Sequence, residues 1–292
     1  MAASALYPEF EKLPNFKGRV MELIRGALER AKVHDSGTAA GQGHQERSTP
    51  IGPKFTPAAL SNIETRKQCW ALDAAHLASE RITAYNHGEA HATSFDMLRT
   101  QVLQSMDARD WRLLGITSPT PGCGKTVTAI NLALSVGRQP ERSVLLLDLD
   151  LGKPQVARRL GLKPKDGVLS ILEKRSPLAD AILEVGIGDC RMMVLPTESL
   201  ASRSSDRMAS RAMSDLLQEV KREFQSQIII LDLPPLLSGD DVLAVLPKLD
   251  CMLLVTAVGV TTSAQINESA KHLQSTEIVR LVANKVPHSK SK

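Results

Sequence analysis

The feature of this 292-residue sequence that most restricts its fold is a set of short apolar runs separated by helical segments. The runs are "WRLLGITS", "SVLLLDLD", "RMMVLP", "QIIILDLPP", "CMLLVTAV" and "IVRLVANK". Strands that are covered by helices on both faces are nearly continuous in apolar residues, as these runs are. Alternation of strand and helix predicts parallel neighbours joined by right-handed crossovers. The predicted fold class is therefore α/β, a doubly wound, mostly parallel sheet in a three-layer αβα sandwich.

The first 57 residues lack this alternation. In residues 1–33, apolar side chains recur at helical spacing between Lys and Arg residues. This pattern predicts an amphipathic helical segment. These apolar residues are Phe16, Val20, Leu23, Ile24, Ala27 and Ala31. Packing on its own domain is the favoured interpretation, and docking on a membrane surface or a partner is the alternative. Residues 34–57 are rich in Gly, Ser, Thr and Pro and predict a flexible linker, which leaves 58–292 as the folded body.

Composition excludes several classes of protein. Lys and Arg outnumber Asp and Glu by only 36 to 32, and 3% of the residues are aromatic, so the chain lacks the basic and stacking surfaces of a nucleic-acid binder. No apolar stretch approaches the roughly 20 residues of a membrane span, and the N-terminus lacks the apolar core of a secretory signal. The four cysteines have no metal-ligand spacing, which predicts free thiols in a reducing compartment. We therefore expect a cytoplasmic protein without a nucleic-acid partner.

The segment "SPTPGCGKT" follows the first of the apolar runs and precedes a helical pattern. Backbone N–H groups and the positive end of a helix converge in such a turn, which makes it a phosphate-binding site. Gly122 and Gly124 let the backbone approach the oxygens, Lys125 can reach the β- and γ-phosphates, and the Thr126 hydroxyl can ligate Mg²⁺. The alternative is a tight turn with an exposed lysine. We expect a P-loop of variant type, because Pro119 stands where the usual first glycine would be.

Three aspartates follow apolar runs of the predicted sheet. Asp148 and Asp150 end one run, and Asp232 ends another. In a parallel sheet both run ends lie at the carboxyl edge beside the phosphate loop. A carboxylate that ends so apolar a strand needs a partner, which a hydrated Mg²⁺ would supply. Any one of these aspartates could instead cap a helix or a turn.

Together, "SPTPGCGKT", "LLLDLDLGKP" and "IIILDLPP" resemble the Walker A, A′ and B motifs of the bacterial tyrosine kinases (BY-kinases, CpsD/CapB-like) of exopolysaccharide and capsule biosynthesis. These kinases are deviant-Walker P-loop relatives of the ParA and MinD ATPases. The likeness extends over about residues 77–285. The resemblance implies ATP and Mg²⁺ as cofactors and a P-loop NTPase fold. The nucleotide-binding positions that it implies are Pro121, Gly122, Cys123, Gly124, Lys125, Thr126, Val127 and Asn284, the last of them at the adenine.

The resemblance also implies roles in a reaction, the transfer of the γ-phosphoryl group of ATP to a protein tyrosine. The catalytic residues would be Lys125, Asp148, Asp150 and Asp232. Thr126, Asp148 and Asp232 would hold or orient the metal, and Asp148 is the candidate that accepts the hydroxyl proton. Because Lys125 is expected to be exposed, Lys125→Met is predicted to abolish activity with little effect on the fold.

The chain departs from the family pattern at several positions. Thr120 replaces the signature lysine of ParA and MinD, which disfavours a dimeric ATPase that acts in trans. The E-x-x-R-x-x-R motif of ring assembly reads Thr93, Asp96 and Arg99. The chain ends "NKVPHSKSK" without a tyrosine-rich tail, and its two tyrosines are Tyr7 and Tyr85. The alternative function is therefore an ATP-binding switch, a weak ATPase that regulates a polysaccharide polymerisation or export complex without kinase activity.

The resemblance implies a membrane-embedded activator of the polysaccharide co-polymerase type, which would recruit the chain to the inner face of the plasma membrane. The sequence leaves open whether the chain forms a homo-oligomer and which polysaccharide is made. The phosphate acceptor is either another protein or Tyr7. Cys123 in the phosphate loop suggests redox inhibition, although a neutral replacement by a small residue is the favoured interpretation.

Overall fold

The computed structural model describes residues 69–86, 90–225, 227–274 and 276–286. All of them belong to one compact unit, Leu60–Lys292. The predicted helical segment 1–33 and the predicted linker 34–57 lie outside the described residues. The predicted domain boundaries therefore stay predictions.

The core of the fold is a sheet of eight strands in the order β1-β4-β5-β3-β6-β2-β7-β8. The strands are β1 Trp70–Ala71, β2 Leu113–Thr117, β3 Val144–Asp148, β4 Leu183–Ile187, β5 Cys190–Leu195, β6 Ile228–Asp232, β7 Cys251–Ala257 and β8 Ile278–Asn284. All neighbours pair in parallel except β4 and β5, which are antiparallel. This is the predicted fold class, a mostly parallel α/β sheet.

Helices cover the sheet on both faces. They are α1 Ala74–Ser79, α2 Ala90–Asp107, α3 Lys125–Gly137, α4 Val156–Leu160, α5 Val168–Leu172, α6 Leu178–Ala181, α7 Ser204–Met208, α8 Arg211–Glu223, α9 Asp241–Val245 and α10 Ser263–His272, with a 3₁₀ turn at Leu246–Lys248. The segment 204–223 is divided between α7 and α8, because the Ser210 hydroxyl accepts the Met213 N–H and starts a new helix there.

The six apolar runs are confirmed as β2, β3, β5, β6, β7 and β8. Two strands were not predicted. β1 has two residues, and β4 has only two buried residues out of five, so neither gives the apolar signal of a central strand. The expectation of parallel neighbours is wrong for β4 and β5, because β5 returns from β4 through a short turn and pairs with it in antiparallel orientation.

Alternate residues of each central strand enter two separate apolar cores. In β3, Val144 and Leu146 pack into the core that holds α2 and α3, while Leu145 and Leu147 pack into the core that holds α8. The pleat of a strand causes this division, because successive side chains point to opposite faces. Each fully buried Leu contributes about 1.5–3 kcal/mol, so the two cores fix the register of the central strands.

Candidate nucleotide-binding site

The loop 118–124 connects β2 to α3 at the carboxyl edge of the sheet. Gly122 and Gly124 have φ values of +82° and +97°, a left-handed conformation that favours glycine. Gly124 is the N-cap of α3, and no side chain caps this helix end. The free N–H groups and the helix dipole therefore converge where a phosphate would bind.

Neighbouring backbone holds the loop in place. Leu236 N–H donates to the Ser118 carbonyl at 2.8 Å, and Leu237 N–H donates to the Pro119 carbonyl at 3.1 Å. The Ser118 hydroxyl donates to the Thr120 carbonyl at 2.8 Å. The loop is therefore braced by the segment that follows β6.

Asn284, at the end of β8, closes the other side of the loop. Its Nδ2 donates to the Cys123 carbonyl at 2.9 Å. A Cβ added at Gly124 would lie 2.2 Å from that same nitrogen, so the amide requires glycine here. The resemblance put Asn284 at the adenine, and the structure places its amide against the phosphate loop.

Asp148 and Asp232 are paired residues of neighbouring strands. β3 and β6 are in register with Asp148 opposite Asp232, and both side chains have no exposed surface. Asp148 Oδ2 accepts the N–H groups of Gln155 and Val156 at 3.0 and 2.9 Å, and its Oδ1 accepts the Asp150 N–H at 3.2 Å. Backbone donors thus fix the Asp148 carboxylate.

Lys125 reaches into this acidic edge. Its Nζ donates to Asp150 Oδ2 at 2.7 Å and lies 3.8 Å from Asp232 Oδ1. It also lies 3.4 Å from the Thr126 hydroxyl oxygen. Lys125 is only 8% exposed, so the expectation of an exposed lysine is wrong. The positive charge of Lys125 offsets the repulsion among Asp148, Asp150 and Asp232, which lie together at this buried edge of the sheet.

Electrostatics in the site follow from burial and mutual charge. Burial opposes the charge of Lys125, but attraction from Asp232, Asp150 and Asp148 outweighs it and raises the pKa of the lysine. Burial raises the pKa of Asp148 well above its usual value, and the charge of Asp232 adds to this effect. Burial also raises the pKa of Asp232, against the opposing effects of Lys125 and the Thr126 hydroxyl. Three carboxylates thus share a single lysine, and either a proton or a bound cation would relieve their mutual repulsion.

The carboxylate of Asp232 is buried without ordinary hydrogen-bond partners. Both of its oxygens are buried, and neither has a hydrogen bond of ordinary geometry to a described residue, although Thr126 lies close by. Such an orphaned carboxylate fits a hydrated cation. No group of three or more His, Cys, Asp or Glu side chains in the described ranges forms a cage that could hold a metal by itself. Mg²⁺ needs no such cage, since it binds through one or two carboxylates, waters and phosphates.

Asn131 supports the site, although no motif in the sequence pointed to it. Buried Asn131 on α3 accepts the N–H groups of Thr83 and Ala84 and donates to the carbonyls of Arg81 and Val127. Its amide ties the segment after α1 to the phosphate-loop helix. An Asn among apolar helical residues was the available signal, because a buried amide needs partners.

Cys123 is fully buried beneath two threonines. Its Sγ lies 3.6 Å from the Thr120 hydroxyl and 3.5 Å from that of Thr261. The predicted free thiols are found at all four cysteines, of which only Cys69 is exposed. Burial keeps oxidants away from Cys123, which favours the neutral interpretation of this residue.

The residues aligned with the ring motif make contacts within the chain. Asp96 accepts hydrogen bonds from the Ser135 hydroxyl at 2.6 Å, from Arg99 at 3.1 Å, and from Arg138. Arg99 also donates to the Ser135 carbonyl at 2.9 Å. This network joins α2 to α3, while Thr93 remains exposed.

Fold and site together define a P-loop nucleoside-triphosphate-binding protein, with a glycine loop, a buried lysine and aspartates at the ends of adjacent strands. A family model described as "ParA: NUBPL iron-transfer P-loop NTPase" matches residues 111–285, more than half of the sequence. The chain belongs to this family of P-loop NTPases. In the part of the chain that the structure describes, no helix has the length and apolar character needed to cross a membrane.

Relatives extend the comparison to kinases. Tyrosine-protein kinase YwqD of Bacillus subtilis is 28% identical over 63% of this chain and 75% of its own length. Succinoglycan biosynthesis transport protein ExoP of Rhizobium meliloti is 25% identical over 62% of this chain and only 23% of its own. The crystal structure of the VpsO kinase domain matches with a TM-score of 0.59 and 27% identity over 66% of this chain and 93% of that domain. The similarity to bacterial tyrosine kinases is confirmed.

Proposed function

We propose that the protein is a tyrosine kinase of exopolysaccharide or capsule biosynthesis, which transfers the γ-phosphoryl group of ATP to a protein tyrosine. The observation that carries the proposal is the meeting of Lys125 with Asp148, Asp150 and Asp232 at the phosphate loop. YwqD and the VpsO domain, which are named as kinases, support the reaction, and the name of ExoP supports the pathway.

The proposed chemistry needs positioning and charge neutralisation more than covalent help. Bound Mg²⁺–ATP supplies the phosphoryl group. We propose that the loop N–H groups and Lys125 bind the β- and γ-phosphates, and that Thr126, Asp148 and Asp232 hold or orient the metal. Asp148 has three backbone donors, which leave it about one free lone-pair position. That position would accept the proton of the tyrosine hydroxyl as the tyrosine oxygen bonds to the γ-phosphorus, while the bond from the γ-phosphorus to the bridging oxygen breaks and ADP leaves.

A second candidate function is an ATP-binding switch with weak hydrolysis. Two observations favour it. Asp96 and Arg99 are engaged within the chain, and the sequence holds only two tyrosines, of which Tyr85 is half-buried. In either case we propose a membrane-embedded co-polymerase-type activator as partner and the inner face of the plasma membrane as the place of action.

The test is incubation of purified protein with Mg²⁺–ATP and a tyrosine copolymer, followed by detection of phosphotyrosine and of released phosphate. Lys125→Met should abolish both signals, and Lys271→Met, at a half-exposed lysine of α10, should leave them unchanged. Because Lys125 is buried, circular dichroism must first show that its variant is folded. Phosphate release without phosphotyrosine would favour the switch, and unchanged turnover in Lys125→Met would refute the site.

A further inference from the structure

The loop 197–204, which follows β5, forms a fixed wall beside the backbone segment 148–152. The Thr197 hydroxyl donates to the Asp148 carbonyl at 2.6 Å. The Ala201 N–H donates to the Leu151 carbonyl at 2.9 Å. A Cβ added at Gly152 would lie 3.6 Å from the Ser204 hydroxyl. Two hydrogen bonds therefore hold the loop against the segment that carries Asp148 and Asp150.

The backbone of Lys153 is fixed next to Asp150. Its N–H donates both to the carbonyl of Asp150 at 3.0 Å and to Oδ1 of Asp150 at 3.1 Å. Asp150 thus binds Lys125 through one oxygen and orders the turn 150–153 through the other. The Lys153 side chain is exposed and has no ion pair with any described residue.

Arg203 provides a second exposed cation in this wall. Its backbone is left-handed, with φ of 56° and ψ of 57°, a conformation that costs a non-glycine residue roughly 1–2 kcal/mol. Such strain persists where the surroundings impose it, and it is concentrated at functional sites. Like Lys153, Arg203 has no ion pair in the described part of the chain. Leu200, between the tethered residues of the loop, is 72% exposed.

Two acidic residues near this loop accept hydrogen bonds. Glu198 accepts the N–H and the hydroxyl of Ser170, and Asp241 accepts the Ser205 hydroxyl at 2.9 Å. Asp206, three residues after Arg203, and Asp240 are exposed. Because these carboxylates repel negative charge, we expect the protein to prefer acceptors whose acidic residues directly contact Lys153 and Arg203, rather than any negatively charged acceptor.

We propose that Lys153, Leu200 and Arg203 form the acceptor-binding wall of the site and bind an acidic segment next to the target tyrosine of a protein acceptor. The inference rests on the proposed kinase function and specifies its substrate class. The two cations would pair with acidic residues of the acceptor, and Leu200 would contact its apolar side chains. Charge pairs of this kind select partners more than they add raw affinity.

The test measures binding and transfer separately. Three labelled peptides carry one central tyrosine flanked by Glu, Gln or Lys residues, and their binding to the protein is followed by fluorescence anisotropy with Mg²⁺ and a non-hydrolysable ATP analogue. The wild type should bind the Glu peptide at least tenfold more tightly than the Lys peptide. Lys153→Glu/Arg203→Glu should remove this preference without changing affinity for the nucleotide analogue. Arg109→Glu/Arg222→Glu is the matched control, because both arginines are exposed and precede strand starts at the opposite edge of the sheet.

Several results would overturn the proposal. One is equal affinity of the wild type for the three peptides. Another is the same ratio of Glu-peptide to Lys-peptide affinity in the double variant and in its control. If the double variant loses only its binding to anionic vesicles, the wall binds a membrane instead. If the double variant differs only in its sedimentation, the wall binds a second copy of the chain. If the Glu peptide binds as expected but receives no phosphate from Mg²⁺–ATP, the acceptor wall stands as a binding surface and the kinase proposal fails.

Discussion

The ammonium of Lys125 lies 2.7 Å from Asp150 Oδ2, and both side chains are about nine-tenths buried. The lysine of the phosphate loop thus pairs with a carboxylate two residues beyond the end of β3. In the proposed complex with nucleotide, this cation would turn toward the phosphates, and a metal ion would replace it as the counter-charge of the carboxylates. We therefore propose that the pair couples the nucleotide site to the metal site.

Asp150→Asn should tighten ATP binding in the absence of divalent metal by about tenfold, equivalent to about 1.4 kcal/mol. The change removes one of three carboxylates that repel the phosphates, and it releases Lys125. Calorimetric titration with EDTA present measures the effect. Asp240→Asn, at an exposed residue before α9, is the control. Unchanged or weaker binding in Asp150→Asn would contradict the coupling.

Gly124→Ala should lower the thermal stability of the nucleotide-free protein more than Gly122→Ala does. Both changes put a side chain at positive φ, which costs roughly 1–2 kcal/mol. Only the Gly124 change also brings a methyl group to 2.2 Å from Asn284 Nδ2, whereas no atom lies within 4 Å of the added methyl at Gly122.

The same contact can be tested by a double variant. Asn284→Ala should relieve part of the cost of Gly124→Ala, so that the double variant is more stable than the sum of the single effects predicts. Differential scanning calorimetry gives all four unfolding temperatures. Additive effects would show that Asn284 does not constrain the loop.

Asp250 should make the stability of the protein depend on acidic pH. Burial opposes its ionisation, but the N–H groups of Leu113 and Arg112 and the charge of Lys221 outweigh burial and lower its pKa below 3.8. A carboxyl with a lower pKa in the folded state stabilises the fold above its unfolded pKa, and this stabilisation is lost as the pH falls through the folded value. Asp250→Asn should cost about 1–3 kcal/mol at pH 7.

Urea unfolding between pH 7 and pH 2.5 measures this dependence. The difference in free energy of unfolding between wild type and Asp250→Asn should shrink below about pH 4, because the wild-type carboxyl then becomes protonated. Asp110→Asn, at a side chain that is 89% exposed, should show almost no difference at either pH. A constant difference for Asp250→Asn over the whole range would contradict the assignment.

Thiol reagents should label one cysteine quickly in the native protein. Cys69 is exposed, while Cys123, Cys190 and Cys251 are buried. Burial raises the pKa of Cys190 to about 11 and that of Cys251 to about 12, so almost no thiolate is present at pH 8. We expect one equivalent of fast reaction in a spectrophotometric thiol assay, and four after denaturation. Fast loss of a second thiol in wild type but not in Cys123→Ser would revive redox inhibition.

The local pattern of the chain allowed much of the fold to be predicted. Six strands, the phosphate-loop helix and the carboxyl-edge position of Asp148 and Asp232 follow from apolar runs and from parallel topology, because both are properties of short segments. β4 could not be predicted in the same way, since its direction depends on pairing with β5. The likeness to tyrosine kinases also depended on motifs that are contiguous in sequence.

Tertiary structure decided the contacts between residues that are distant along the chain. The sequence by itself determined which side chains are present at the phosphate loop, while folding decided that Lys125 is buried against Asp150 and that Asn284 contacts Cys123. It also decided that loop 197–204 lies against the backbone of Asp148 and Leu151. Helical and strand periodicity fix which face a residue occupies, but only the packing of elements brings two faces within hydrogen-bonding distance.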